Sequence, residues 1–172
     1  MNLQSDDFEL FGLAPRFGQD RAVIDARWKD LQREAHPDKF TLHGAAAQRL
    51  AMQWSVRINE AYQRLKDPLK RAAYLCELHG APVNAESNTA MAADFLMQQM
   101  QWREQLDEAA GTAELDQLMA EVSSARRDLL QQSELLLDRQ QDYKEAVQRV
   151  RALMFIERFA RDVEARVDRM ET

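Results

Sequence analysis

The chain has 172 residues, enough for one or two small domains with their own cores. Charged residues make up 30% and hydrophobic residues 45%, and five Gly and four Pro favour long helices over many-stranded sheets. The net charge of −6 divides into +1 over residues 1–79 and −7 over residues 80–172, so the second half lacks the basic footprint that nucleic acid needs.

Asp6 or Asp7 can cap a short first helix holding Phe8, Leu10, Phe11 and Leu13, with Gly12, Pro15 and Gly18 around its end. Asp20 can cap a second helix to about Ala35, with an apolar stripe of Ile24, Trp28, Leu31 and Ala35. Pro37 disfavours helix at His36 and stops the element there. A loop is expected through Gly44. A third helix then runs from about Ala45 to Lys66, with Leu50, Trp54, Ile58, Ala61 and Leu65 as its stripe. Two striped helices joined by a loop predict an antiparallel hairpin. Asp67-Pro68 ends the third helix and starts a fourth, which carries Leu69, Ala72, Ala73, Leu75 and Leu78 to near Gly80.

Residues 80–89 concentrate turn and cap formers and read as a linker between domains at 1–79 and 90–172. Three long helices follow, at about 89–110, 112–138 and 142–170, the last with Asp142 and Glu145 in a capping-box pattern. Short connections make them an antiparallel three-helix bundle. The fold class is therefore all-α.

Few chemistries fit. One cysteine, Cys76, forms no internal disulfide, and three scattered His without a Cys-x-x-Cys pair give no zinc-type ligand set. No apolar run reaches the length of a membrane span, and Asp6, Asp7 and Glu9 precede the first Arg, the wrong charge order for a secretory or transit leader. Cys76 and His79 lie one helical turn apart, the best pairing for an enzyme. No orienting third residue or Gly-rich loop accompanies them, and a lone Cys among Leu75 and Leu78 reads as a small buried hydrophobe. Neither catalysis nor a cofactor is expected.

The exposed-turn signature is His36-Pro37-Asp38, followed by Lys39. With Asp7-Phe8-Glu9-Leu10-Phe11-Gly12-Leu13 before it and Ile58-Asn59-Glu60-Ala61-Tyr62 after it, the region 5–75 closely resembles a J-domain. The resemblance implies that His36, Pro37 and Asp38 bind a DnaK-type chaperone and stimulate its ATPase. Pro37 fixes the backbone before docking, and Asp38 can accept charge-assisted bonds from a partner arginine. Arg27, Lys29 and Arg33 on the preceding helix, with Lys39, could add a basic surface, diluted by Asp25, Asp30 and Glu34.

The helix over 94–109 carries two apolar faces. Phe95, Trp102, Leu106 and Ala109 form one stripe, while Leu96, Met97 and Met100, with Glu104 and Glu108, lie near the opposite side. A bundle helix buries one face, so the second is surplus: either a partner contact or packing on the first domain. Phe155, off the stripe of Ile156, Ala160, Val163 and Val167, is either exposed beside that face or part of a widened core.

Phe95-Leu96-Met97-Gln98-Gln99-Met100, Arg103-Glu104-Gln105-Leu106-Asp107-Glu108, Leu69-Lys70-Arg71-Ala72-Ala73-Tyr74-Leu75 and Val150-Arg151-Ala152-Leu153-Met154-Phe155 make the whole chain similar to HscB-type co-chaperones of iron–sulfur cluster assembly. That resemblance implies an L-shaped pair of domains. It implies an IscU-type scaffold bound at Leu96, Met97, Met100, Glu104, Glu108 and Phe155, and an HscA-type chaperone bound by the J-domain. It also implies a bacterial cytoplasmic protein that works as a monomer, with no nucleic acid or membrane partner. A J-domain protein for a different client and a purely structural helical adaptor are the alternatives.

Overall fold

The computed structural model describes residues 2–83 and 93–172. These are helical, with no strand among them, and the chain divides into two compact units, Met1–Leu75 and Cys76–Thr172. Of the linker expected at 80–89, residues 84–89 lie outside the described residues.

In the first unit, α1 (Asp7–Phe11) starts on the Asp6 carboxylate, which accepts the Glu9 amide at 2.8 Å. It stops at Gly12, whose left-handed φ of 64° turns its amide back to Glu9 and Phe8. Helix α2 (Arg21–Ala35) is capped by Asp20, which accepts the Ala22 amide at 2.9 Å. It ends at His36 in extended geometry, as a residue before proline must. Residues Pro37–His43, expected as loop, wind into a 3-10 turn that starts on Pro37. Helix α3 (Ala45–Lys66) returns antiparallel to α2, and α4 (Pro68–Leu78) starts on Asp67, which accepts the Leu69 amide at 2.9 Å.

Phe8, Leu10, Phe11, Ile24, Ile58, Ala61 and Leu65 make the core of this unit. One expected stripe position departs. Leu50 is 49% exposed, and Ala51 is buried instead. The cause is length: Ser55 already reaches the last α2 carbonyl, Ala35, so Leu50 lies about 7.5 Å beyond the end of α2. There it faces the 3-10 turn and lines an open groove with Leu31, Ala35 and Phe40, which leaves it half-exposed.

Asp7 is fully buried. Its carboxylate meets Arg57 at 2.8 Å and takes two bonds from Arg64, at 2.6 and 2.8 Å. Its amide donates to the Tyr74 hydroxyl at 3.0 Å. One residue thus ties α1 to α3 and α4. Arg57 also donates to the Ser5 carbonyl at 2.7 Å, and buried Arg71 donates to the carbonyls of Phe17 and Leu65.

In the second unit, α5 (Ala93–Glu108), α6 (Thr112–Glu134) and α7 (Tyr143–Glu171) pack around Trp102, Leu106, Leu115, Leu118, Val122, Phe155, Ile156, Phe159 and Val163. Connections through Ala110-Gly111 and residues 140–142 reverse the chain twice, so α5 and α7 run parallel with α6 against them. The contacts keep that order: Phe95 meets Phe155, Trp102 stacks on Phe159, and Arg103 pairs with Asp162 at 3.2 Å. Helix α6 stops short of the expected 138, because Leu135–Arg139 widens into a π turn closed by the Gln140 amide on Leu135. Both Leu136 and Leu137 are buried at that turn.

The capping box expected for α7 is half made. Asp142 accepts the Glu145 amide at 3.2 Å, but the Asp142 amide is taken by Leu136 and the Glu145 carboxylate by Arg149.

Asp7→Ala leaves two guanidinium groups facing a vacated site. The first unit should lose about 3 kcal/mol in urea denaturation followed by the Trp28 and Trp54 fluorescence. A loss no larger than that of an exposed ion pair, about 0.5 kcal/mol, would show that Asp7 is not what joins α1 to α3.

Candidate functional site

The His36-Pro37-Asp38 turn stands at the tip of the α2–α3 hairpin because two elements meet there in incompatible backbones. His36 closes α2 and opens the 3-10 turn, with φ −61° and ψ 127°. The Asp38 amide donates to His36 Nδ1 at 3.2 Å, and His36 Nε2 is the ring nitrogen that this contact leaves for a partner. The Asp38 carboxylate lies 3.6 Å from the same ring, and both side chains are exposed. The turn therefore displays an imidazole nitrogen and an acceptor carboxylate on a backbone stiffened by Pro37.

The orientation of α2 behind the turn is set by Asn59. Its amide oxygen accepts from Trp28 Nε1 at 2.9 Å and from Gln32 at 2.7 Å, while Trp28 stacks on Tyr62. Asn59 and Tyr62 belong to the Asn-Glu-Ala-Tyr stretch, whose spacing marks helix but does not state this bracing role. Lys29, Arg33 and His36 fall within about 60° on the face away from the core. Arg27 lies about 160° from Lys29, and its guanidinium sits 3.0 Å from where a Cβ on Gly12 would be. The basic surface therefore gathers Lys29 and Arg33, with Lys39 exposed on the turn, and sets Arg27 apart.

The acids near that surface differ in effect. The Tyr62 hydroxyl, at 2.6 Å, and then Arg21, at 2.8 Å, hold the Asp25 carboxyl below its usual range. Its charge is already satisfied within the unit. Asp30 approaches Arg33 at 3.8 Å, an exposed contact of little energy.

The second candidate surface lies on α5. Phe95, Trp102, Leu106 and Ala109 turn inward as expected. Leu96, Met97 and Met100 are 43%, 61% and 72% exposed, and Glu104 and Glu108 continue the same face in solvent. Three adjacent apolar side chains and two carboxylates thus share one accessible face of a helix whose other face already fills the core. Phe155 does not join them. It is 7% exposed, set edge-on to Phe95 and stacked on Phe159. Of the two readings open for it, the structure has the widened core. The reason is Phe159, one turn further along α7, which extends the aromatic layer under α5. The spacing of Phe155, Phe159 and Val163 could have signalled this. Arg103 closes the layer from outside, 5.7 Å over Phe155 and 5.5 Å over Phe159.

Cys76 is fully buried, and burial pushes its thiol up to about 11. The His79 ring stacks on Tyr143 at 4.0 Å. The pair offers a neutral thiol, not an activated thiolate. Among the described residues, no group of three His, Cys, Asp or Glu side chains could hold a metal ion, and no helix is long and apolar enough to cross a membrane. A maleimide should therefore label Cys76 at pH 8 at least about a hundredfold more slowly in the folded chain than in urea. Equal rates would place an accessible thiolate at Cys76.

Known proteins resemble this chain over its length. Residues 91–164 match the family described as the HSCB C-terminal oligomerisation domain. A "Co-chaperone protein HscB homolog" of Burkholderia mallei is 47% identical over 174 aligned positions, covering 99% of both chains. Its counterpart in Burkholderia multivorans is 46% identical over 175, covering 100% of this chain and 99% of its own. Chaperone HscB from Vibrio cholerae superposes with a TM-score of 0.83 at 34% identity, over 96% of this chain and 99% of its own. Human co-chaperone HscB superposes with a TM-score of 0.89 at 25% identity, over 96% and 83%.

Proposed function

The chain belongs to the HscB family of co-chaperones, and we propose that it works in iron–sulfur cluster assembly as an adaptor with two binding sites. The His36-Pro37-Asp38 turn, with Lys29, Arg33 and Lys39, engages an HscA-type chaperone and stimulates its ATPase. Leu96, Met97 and Met100, with Glu104 and Glu108, hold an IscU-type scaffold. The chain supplies recognition, not catalysis. It operates in the bacterial cytoplasm as a monomer, and the oligomerisation in the family description is read as assembly with these partners.

The observation that carries this reading is the surplus face of α5. Its core stripe is fully used, yet Leu96, Met97 and Met100 remain exposed beside two carboxylates. An apolar patch rimmed by charge is the ordinary form of a protein contact. The turn supports the other half. Its polar groups are preorganised, so docking costs little conformational entropy. Phe155 contributes from below, by propping Phe95, and Arg27 stays beside Gly12 at the end of α1.

Two variants separate the sites. His36→Gln should abolish ATPase stimulation while leaving scaffold affinity within about twofold. The triple change Leu96→Ala, Met97→Ala, Met100→Ala should weaken scaffold binding on the order of a hundredfold, with the circular dichroism spectrum unchanged. Stimulation that survives His36→Gln would remove the J-domain mechanism. Full scaffold affinity in the triple variant would point to a different client or a different face.

A further inference from the structure

We propose that Met97 and Met100 form a reversible oxidation switch: peroxide-class oxidants convert both thioethers to sulfoxides, and the oxidised α5 face releases the scaffold. The inference rests on the reading of that face as the scaffold site. Among the described residues the exposed methionines are Met52, Met97 and Met100, while Met119, Met154 and Met170 are partly buried. Met97 and Met100 are three residues apart on one helix, so their sulfurs share a face with Leu96. The thiol that could compete for oxidant is Cys76, which is buried and neutral near pH 7.

The step balances simply. A thioether lone pair attacks one peroxide oxygen, the O–O bond breaks, an S–O bond forms and water leaves. Sulfur loses two electrons and peroxide gains them; both C–S bonds survive. A thiol-dependent reductase reverses it, releasing water and forming a disulfide in the reductant. The product is a polar side chain with a strong acceptor oxygen in place of an adaptable apolar one. Leu96, Glu104 and Glu108 offer that oxygen no donor. Arg103 is held by Asp162 and over the Phe155 and Phe159 rings, and the exposed Gln101 amide lies one turn from Met97 alone. Covering both sulfoxides with an apolar partner surface therefore costs the desolvation of a strong acceptor.

The test uses the full chain and a purified cluster-free IscU-type scaffold, with affinity measured by calorimetry. Peroxide treatment is followed until peptide masses show sulfoxide at 97 and 100. The oxidised chain should bind at least about tenfold more weakly than the untreated chain, and methionine sulfoxide reductase should restore the affinity. Met52→Leu should lose as much on oxidation as the parent does. For the double variant Met97→Leu, Met100→Leu, whatever affinity it starts from, peroxide should change that value by less than about twofold. Equal affinity before and after oxidation of the parent, or an equal loss in the double variant, overturns the switch. An untreated chain that does not bind the scaffold overturns the site assignment itself, and the switch with it.

Discussion

A buried carboxylate holds the first unit together. Asp7 has no exposure to solvent, and its charge is met by Arg57 and Arg64 on α3, while its amide is met by Tyr74 on α4. Helix α1 has five residues, too few to persist alone. Its place depends on this cluster and on Phe8, Leu10 and Phe11. Helix α3 in turn fixes α2 through Asn59 and the Trp28–Tyr62 stack. The His36-Pro37-Asp38 turn is therefore the far end of a chain of constraints that starts at Asp7. The turn has no fully buried residue, so its internal bonds and Pro37 fix its local shape while α2 and α3 fix its place.

The second unit solves a different problem. Three helices of unequal length need one buried face each, and α5 meets that need with Phe95, Trp102, Leu106 and Ala109. Leu96, Met97 and Met100 on its other side lie outside that core stripe. Phe155 and Phe159 form the layer that makes the inner face sufficient, with Arg103 capping the rings and pairing with Asp162. A stiff aromatic layer thus lies beneath an adaptable methionine surface, the combination that the proposed scaffold contact calls for.

Much of this was legible before any coordinates. Helix ends at Gly12, His36, Asp67 and Asp142 follow from glycine, proline and capping carboxylates, which act on the backbone locally. The inner and outer faces of α5 follow from its period. What was not legible depended on partners distant in sequence. Leu50 keeps the α3 period, but α2 ends before reaching it. Phe155 lies off the α7 stripe; its spacing to Phe159 and Val163 hinted at an aromatic layer, but that Phe95 completes this layer across the bundle was not legible. The burial of Asp7 was hidden because an acid near a helix start reads equally well as a cap, the role Asp6 takes. The π turn at Leu135–Arg139 breaks a period that the three leucines alone would have continued.

The central claim is that one chain couples two binding events. It is tested most directly by the steady-state ATPase rate of the HscA-type chaperone with the chain alone, with the IscU-type scaffold alone, and with both. Coupling predicts stimulation by both together well above the sum of the two separate effects. A combined rate equal to that sum would mean that the two surfaces work independently, and would contradict the account.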